Sequence, residues 1–110
     1  MNEEIYEELQ RVARGRGLTT YGAIARLGDL DLVNPAHRKE MAKILADICT
    51  YEQSQGRPML SAVVVRKDTS LPGTGFFKLA RQLGLHGEGD DLDFFRQELE
   101  RVYAVWQEMA

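Results

Sequence analysis

The sequence predicts a small α+β domain that is mostly α, with about five helices and one short β element. Three observations predict it. Apolar residues recur at helical spacing in stretches separated by Gly, Asn-Pro and Asp signals; those signals sit where helix ends need them; and only Leu60 to Val65 reads as a strand. At 110 residues one domain is expected, and a chain of this size buries roughly two-thirds of the surface its unfolded form exposes, so one core suffices.

Ile5, Leu9, Val12 and Ala13 form the apolar stripe of a first helix over about residues 2–14. Glu3, Glu4, Glu7 and Glu8 occupy its first turns, where carboxylates favour the positive end of the helix dipole. Gly15 and Gly17 end it, and Leu18-Thr19 forms a short extended link. Thr20 is placed to cap a second short helix that Gly28 closes. Asn34-Pro35 then supplies an N-cap followed by proline at the first helical position, where its missing N–H costs nothing. Met41, Ile44, Leu45 and Ile48 are the buried stripe of this third helix, which runs to about Gln55, with Gly56 taking the left-handed conformation.

Pro58 begins the next element, and Leu60 to Val65 is a nearly continuous apolar run that predicts a strand buried on both faces. Leu71-Pro72-Gly73-Thr74-Gly75 is a tight loop, followed by a fourth helix through Phe76, Phe77, Ala80 and Leu83 that ends at Gly84. The Phe76-Phe77 pair reads as core. After the Gly87-Glu88-Gly89 linker, Asp90 or Asp91 caps a final helix with a core face of Leu92, Phe95, Leu99, Val102, Tyr103 and Trp106. The order helix, helix, helix, strand, helix, helix is that of small helix-turn-helix and winged-helix domains, so the expectation is winged-helix-like.

Net charge is −3, yet the charges are segregated. Residues 2–9 carry four acids and no base, residues 10–87 twelve Lys/Arg against six acids, and residues 88–110 seven acids against two Arg. A basic middle between acidic ends is compatible with a local phosphate-facing patch, and equally with solvated helix faces and scattered cations. The single Cys49 excludes an internal disulfide and a cysteine-based zinc site. His37 and His86 have no carboxylate or cysteine at ligand spacing, and the glycines of residues 71–75 lack a Walker lysine, so neither a metal nor another cofactor is expected. No apolar run approaches the ~20 residues that span a bilayer, and the acidic start is unlike a signal peptide, so a cytoplasmic protein without a membrane partner is expected.

Three segments carry a resemblance: Gly17-Leu18-Thr19-Thr20-Tyr21-Gly22-Ala23-Ile24-Ala25, then Asn34-Pro35-Ala36-His37-Arg38, then Val64-Val65 with the polar turn Arg66-Lys67-Asp68-Thr69-Ser70. Together they resemble the C-terminal domain of alkylguanine DNA alkyltransferases and their alkyltransferase-like relatives, over roughly residues 5–75, with the helices of residues 76–110 additional. In that family a helix is followed by a segment ending Thr-Tyr-Gly-x-Ile-Ala. A later helix carries an arginine that enters the duplex when a nucleotide is flipped out, and a Pro-Cys-His-Arg-Val-Val segment precedes a wing. The resemblance implies DNA contacts from Thr19, Thr20, Tyr21, Arg38, Arg66 and Lys67. Read as residues alone, Tyr21 equally packs at a helix start with its hydroxyl satisfied, and Arg38 is an exposed first-turn residue.

Anchoring on Val64-Val65 places Leu60 at the family's proline, Ser61 at its cysteine, Ala62 at its histidine and Val63 at its arginine. Alkyl transfer needs a thiolate, formed by pairing the cysteine with a neighbouring base. Ser61 with Ala62 beside it supplies neither, and Cys49, in mid-helix, reads as a small buried hydrophobe. Ala62 and Val63 also predict an apolar, filled pocket. The expectation is therefore a non-catalytic DNA-binding module with double-stranded DNA as partner; the alternative is a protein-interaction or scaffold domain that keeps the fold without binding DNA.

Overall fold

The computed structural model describes residues 1–109, in the order α1 (Glu3–Arg14), β1 (Thr19–Thr20), α2 (Tyr21–Leu27), α3 (Pro35–Ser54), a 3-10 turn (Leu60–Val63), β2 (Val64–Val65), α4 (Thr74–Gln82) and α5 (Asp91–Glu108). Five helices and a minimal β element make the domain mostly α, as expected. The helix starts are set by local acceptors. Asn2 accepts the Ile5 N–H at 3.0 Å, Thr20 that of Ala23 at 3.1 Å, and Asn34 that of Ala36 at 2.9 Å. Of the two candidate caps for α5, Asp90 serves, accepting from Asp93 N–H at 3.0 Å. Gly56 takes φ 74° after α3, the left-handed conformation expected there.

α1 ends at Arg14 with Gly15 as its cap, as expected. Arg16, not Gly15 or Gly17, is the residue with positive φ, at 52°. A non-glycine residue in this region costs roughly 1–2 kcal/mol. Contacts from α5 hold it there: Arg16 pairs with Glu100 at 2.6 Å, its guanidinium lies over the Tyr103 ring, and the Tyr103 hydroxyl donates to the Gly17 carbonyl at 2.6 Å.

The expected strand from Leu60 to Val65 is mostly a turn. Only Val64–Val65 is extended, pairing in parallel with Thr19–Thr20 in the register Thr19↔Val64 and Thr20↔Val65. The reason is partner supply. A strand needs a neighbour for every backbone group, and β1 offers two residues. Upstream, the backbone satisfies itself locally: Ala62 N–H donates to Met59 O at 3.1 Å, and Val64 N–H to Ser61 O. The expected burial is nonetheless present, because the run lies in the centre of the core with α1, α3 and α5 packed around it.

One hydrophobic cluster draws residues from α1 through α5. Phe76 is part of it, edge-on to Phe77 and Phe95. Two acids join this core. Glu52 is fully buried, bonded to Arg57 Nε at 2.6 Å and the Tyr6 hydroxyl at 3.2 Å; Glu98 accepts the Met59 N–H at 2.9 Å and Arg101 Nη1 at 3.1 Å. Among the described residues no helix is long and apolar enough to cross a membrane.

Candidate nucleic-acid interface

β1, the start of α2 and the loop after β2 meet because the parallel pairing sets Thr20 beside Val65. Thr20, Tyr21, Arg66 and Lys67 thereby line one shallow depression of about 500 Å3, together with Gly22, Arg26 and Asp68. The loop is held closed by two backbone bonds, Arg66 N–H to Leu71 O at 2.8 Å and Ser70 N–H to Arg66 O at 2.9 Å, with Ser70 at φ 57°. The β pairing beside it is parallel, unlike the antiparallel hairpin of a wing.

Three cations, Arg26, Arg66 and Lys67, stand at this depression against one carboxylate. Arg66 Nη2 lies 3.1 Å from Asp68 Oδ2, with both side chains exposed. An exposed pair of this kind is worth about 0–1 kcal/mol, so Arg66 can exchange the carboxylate for a phosphate. Sequence reasoning missed Arg26. Its signal was present: four positions after Gly22 on a helix, it stands over the glycine, where an added Cβ would come within 3.8 Å of its Nη1.

Thr19 lines neither this depression nor the larger groove beside it; its place is in the strand pair with Val64. The Thr20 hydroxyl oxygen accepts the Ala23 N–H, which leaves its proton free to donate. Tyr21 borders both concavities, with its hydroxyl accepting the Gly73 N–H at 2.9 Å. Burial pushes its phenol up from the usual range.

Arg38 lies in the second concavity, a groove of about 680 Å3 between α3 and α4. Its Nη1 donates to the carbonyls of Leu32 at 2.8 Å and Val33 at 3.2 Å. Arg38 is thus a tie holding the loop before α3, with its remaining guanidinium donors directed to no partner among the described residues. Ala62 and Val63 do not line this groove. Both are wholly buried behind it, while Ser61 reaches its wall. The 3-10 turn causes this, since it places Ser61 on one side and Leu60, Ala62 and Val63 in the core.

Ser61 has one side-chain partner, the Cys49 thiol, with Sγ 3.1 Å from Oγ. Burial raises the Cys49 thiol above its usual range, against a smaller opposing pull from Ser61. A desolvated neutral thiol beside a neutral hydroxyl has no base to generate a nucleophile. Cys49 is 1% exposed, the small buried residue expected.

The histidines are less isolated than their spacing suggests. His86 Nε2 lies 2.8 Å from Asp91 Oδ1 and 3.1 Å from Arg81 Nη2, with its ring stacked on Phe94. His37 Nδ1 accepts the Asp31 N–H at 2.8 Å. No group of three metal-capable side chains occurs among the described residues. Compared with protein-family models, curated proteins and solved structures, the chain has no match.

Proposed function

We propose that this domain is a non-catalytic DNA-binding module of alkyltransferase-like type, with the loop after β2 standing where a winged-helix domain has its hairpin. It would engage the backbone of double-stranded DNA through Thr20, Tyr21, Arg26, Arg66 and Lys67. The observation that carries the reading is the convergence of Arg26, Arg66 and Lys67, from two chain segments about forty positions apart, on one depression beside Tyr21. Cations with hydroxyl donors are the groups that hold phosphates, positioning a protein on a duplex without reading its sequence. The net charge of −3 does not oppose this, because the acids concentrate in residues 2–9 and 88–110. Arg38 would extend the contact from the neighbouring groove. The absence of a base beside Ser61 and the raised Cys49 thiol support a role without chemistry.

Fluorescence anisotropy with a labelled duplex across a salt series tests the reading. Binding should weaken steeply with salt, about −0.9 in log–log slope for each phosphate neutralised. Arg26, Arg66 and Lys67 all changed to Ala should flatten the slope by ~2.7 when each meets one phosphate. No binding at low salt, or a triple variant that binds like the parent, would reject DNA and leave the protein-interaction role.

A further inference from the structure

We propose that the groove between α3 and α4 binds a small organic anion with an apolar body, such as an aliphatic or aromatic carboxylate. This goes beyond the DNA reading and uses the neighbouring concavity, which shares Tyr21 and Arg38 with that reading and adds Lys78. The groove encloses about 680 Å3, within the roughly 300–1,000 Å3 of small-molecule sites. Its apolar wall is Met41, Leu45, Phe76 and Leu79, of which Met41 and Phe76 are almost wholly buried and fixed in the core.

Its charged groups are few and of one sign. Arg38 and Lys78 both line the groove, and no Asp or Glu does. Neither cation forms an ion pair among the described residues. The Arg38 guanidinium is pre-positioned by its bonds to Leu32 O and Val33 O, so an anion would meet a cation whose ordering is already in place. The Ser61 hydroxyl, whose oxygen receives the Cys49 thiol, adds a donor at the wall. An apolar wall with cations and no carboxylate selects an amphipathic anion over a neutral or cationic molecule of the same shape.

The test uses two fluorescent probes, 8-anilinonaphthalene-1-sulfonate and N-phenyl-1-naphthylamine, which share an aromatic body and differ in the anionic group. The sulfonate should saturate at one site and bind more tightly than the amine. Lys78→Ala should weaken the sulfonate about fivefold, the upper worth of an exposed ion pair, and leave the amine unchanged. Ala46→Phe, which fills the groove, should abolish both; Ala42→Phe serves if the first variant unfolds by circular dichroism. Decanoate and indole-3-acetate, as competitors, separate an aliphatic from an aromatic ligand. Equal affinity for both probes, or binding indifferent to both Phe substitutions, would overturn the proposal. Displacement by a nucleoside monophosphate and by neither carboxylate would also overturn it, since the groove would then hold a nucleotide. Lys78→Ala should leave duplex affinity unchanged, so failure here and failure of the DNA reading are read separately.

Discussion

The Tyr21 hydroxyl accepts the backbone N–H of Gly73 at 2.9 Å, joining the first residue of α2 to the cap of α4 across 52 positions of sequence. This bond stands between the basic depression and the α3–α4 groove, since Tyr21 borders both. Tyr21→Phe keeps the ring and removes the acceptor, leaving a half-buried N–H unpaired. The expected loss is about 1–2 kcal/mol, read as a lower urea midpoint with unchanged slope. A midpoint equal to the parent's would show that water replaces the phenol without cost.

Cys49 offers a chemical readout of the core. With its thiol raised by burial and its side chain closed to solvent, the folded protein should react with a disulfide reagent only through opening. Labelling should therefore be slow in buffer and fast in denaturant. In intermediate urea its rate should follow the population of opened molecules. Rapid stoichiometric labelling of the native protein would mean that the Ser61 wall of the groove admits reagent.

The features that local chemistry decides are legible in the sequence. Thr20, Asn34 and Asp90 each find their N–H within three residues, and Gly56 needs only its own backbone freedom. The turn at Leu60–Val63 is not legible, because an apolar β-branched run becomes a strand only where a neighbour exists, and that neighbour lies some forty positions upstream. Glu52 and Glu98 look like solvent-facing helix acids until Tyr6, Arg57 and Met59 are brought to them. The site divides the same way. Tyr21, Arg66 and Lys67 are visible as residue types in a motif, whereas the joining of Arg26 to them, and of Cys49 to Ser61, needs the packed chain.

Glu52 and Arg57 form the buried pair whose loss should be felt most. Arg57→Ala leaves a carboxylate of zero exposure without its cation, with an expected cost of about 3 kcal/mol or more. Glu52→Gln with Arg57→Met should recover most of this, because a neutral pair of similar volume carries no uncompensated charge.

The same carboxylate sets a pH dependence. Burial raises the Glu52 carboxyl above its ordinary 4.5, with Arg57 and Tyr6 opposing. The folded protein then holds the proton more tightly than the unfolded chain. That contribution is full below the unfolded value and is lost as pH rises through the folded one. The unfolding free energy of the parent relative to Glu52→Gln should accordingly fall from the acid range toward neutrality. The Arg57→Ala penalty should grow over the same interval. A parent that instead gains on Glu52→Gln as pH rises would show that pairing with Arg57 outweighs burial.

Glu98 supplies the acceptor that lets the chain enter its central turn. Met59, 1% exposed, is the residue immediately before Leu60–Val63, and its N–H has the Glu98 carboxylate at 2.9 Å. Glu98→Gln keeps an acceptor oxygen at that place and weakens only the contact to exposed Arg101, so a loss under about 1 kcal/mol is expected. Glu98→Leu orphans a buried donor and should cost about 2–3 kcal/mol, the desolvation penalty of an unsatisfied group. Hydrogen exchange separates the two further. The Met59 amide should remain protected in Glu98→Gln and exchange faster in Glu98→Leu, by more than the global stability change accounts for. Equal protection in both variants would mean that packing of α5 against the turn, and not the carboxylate, holds this backbone in place.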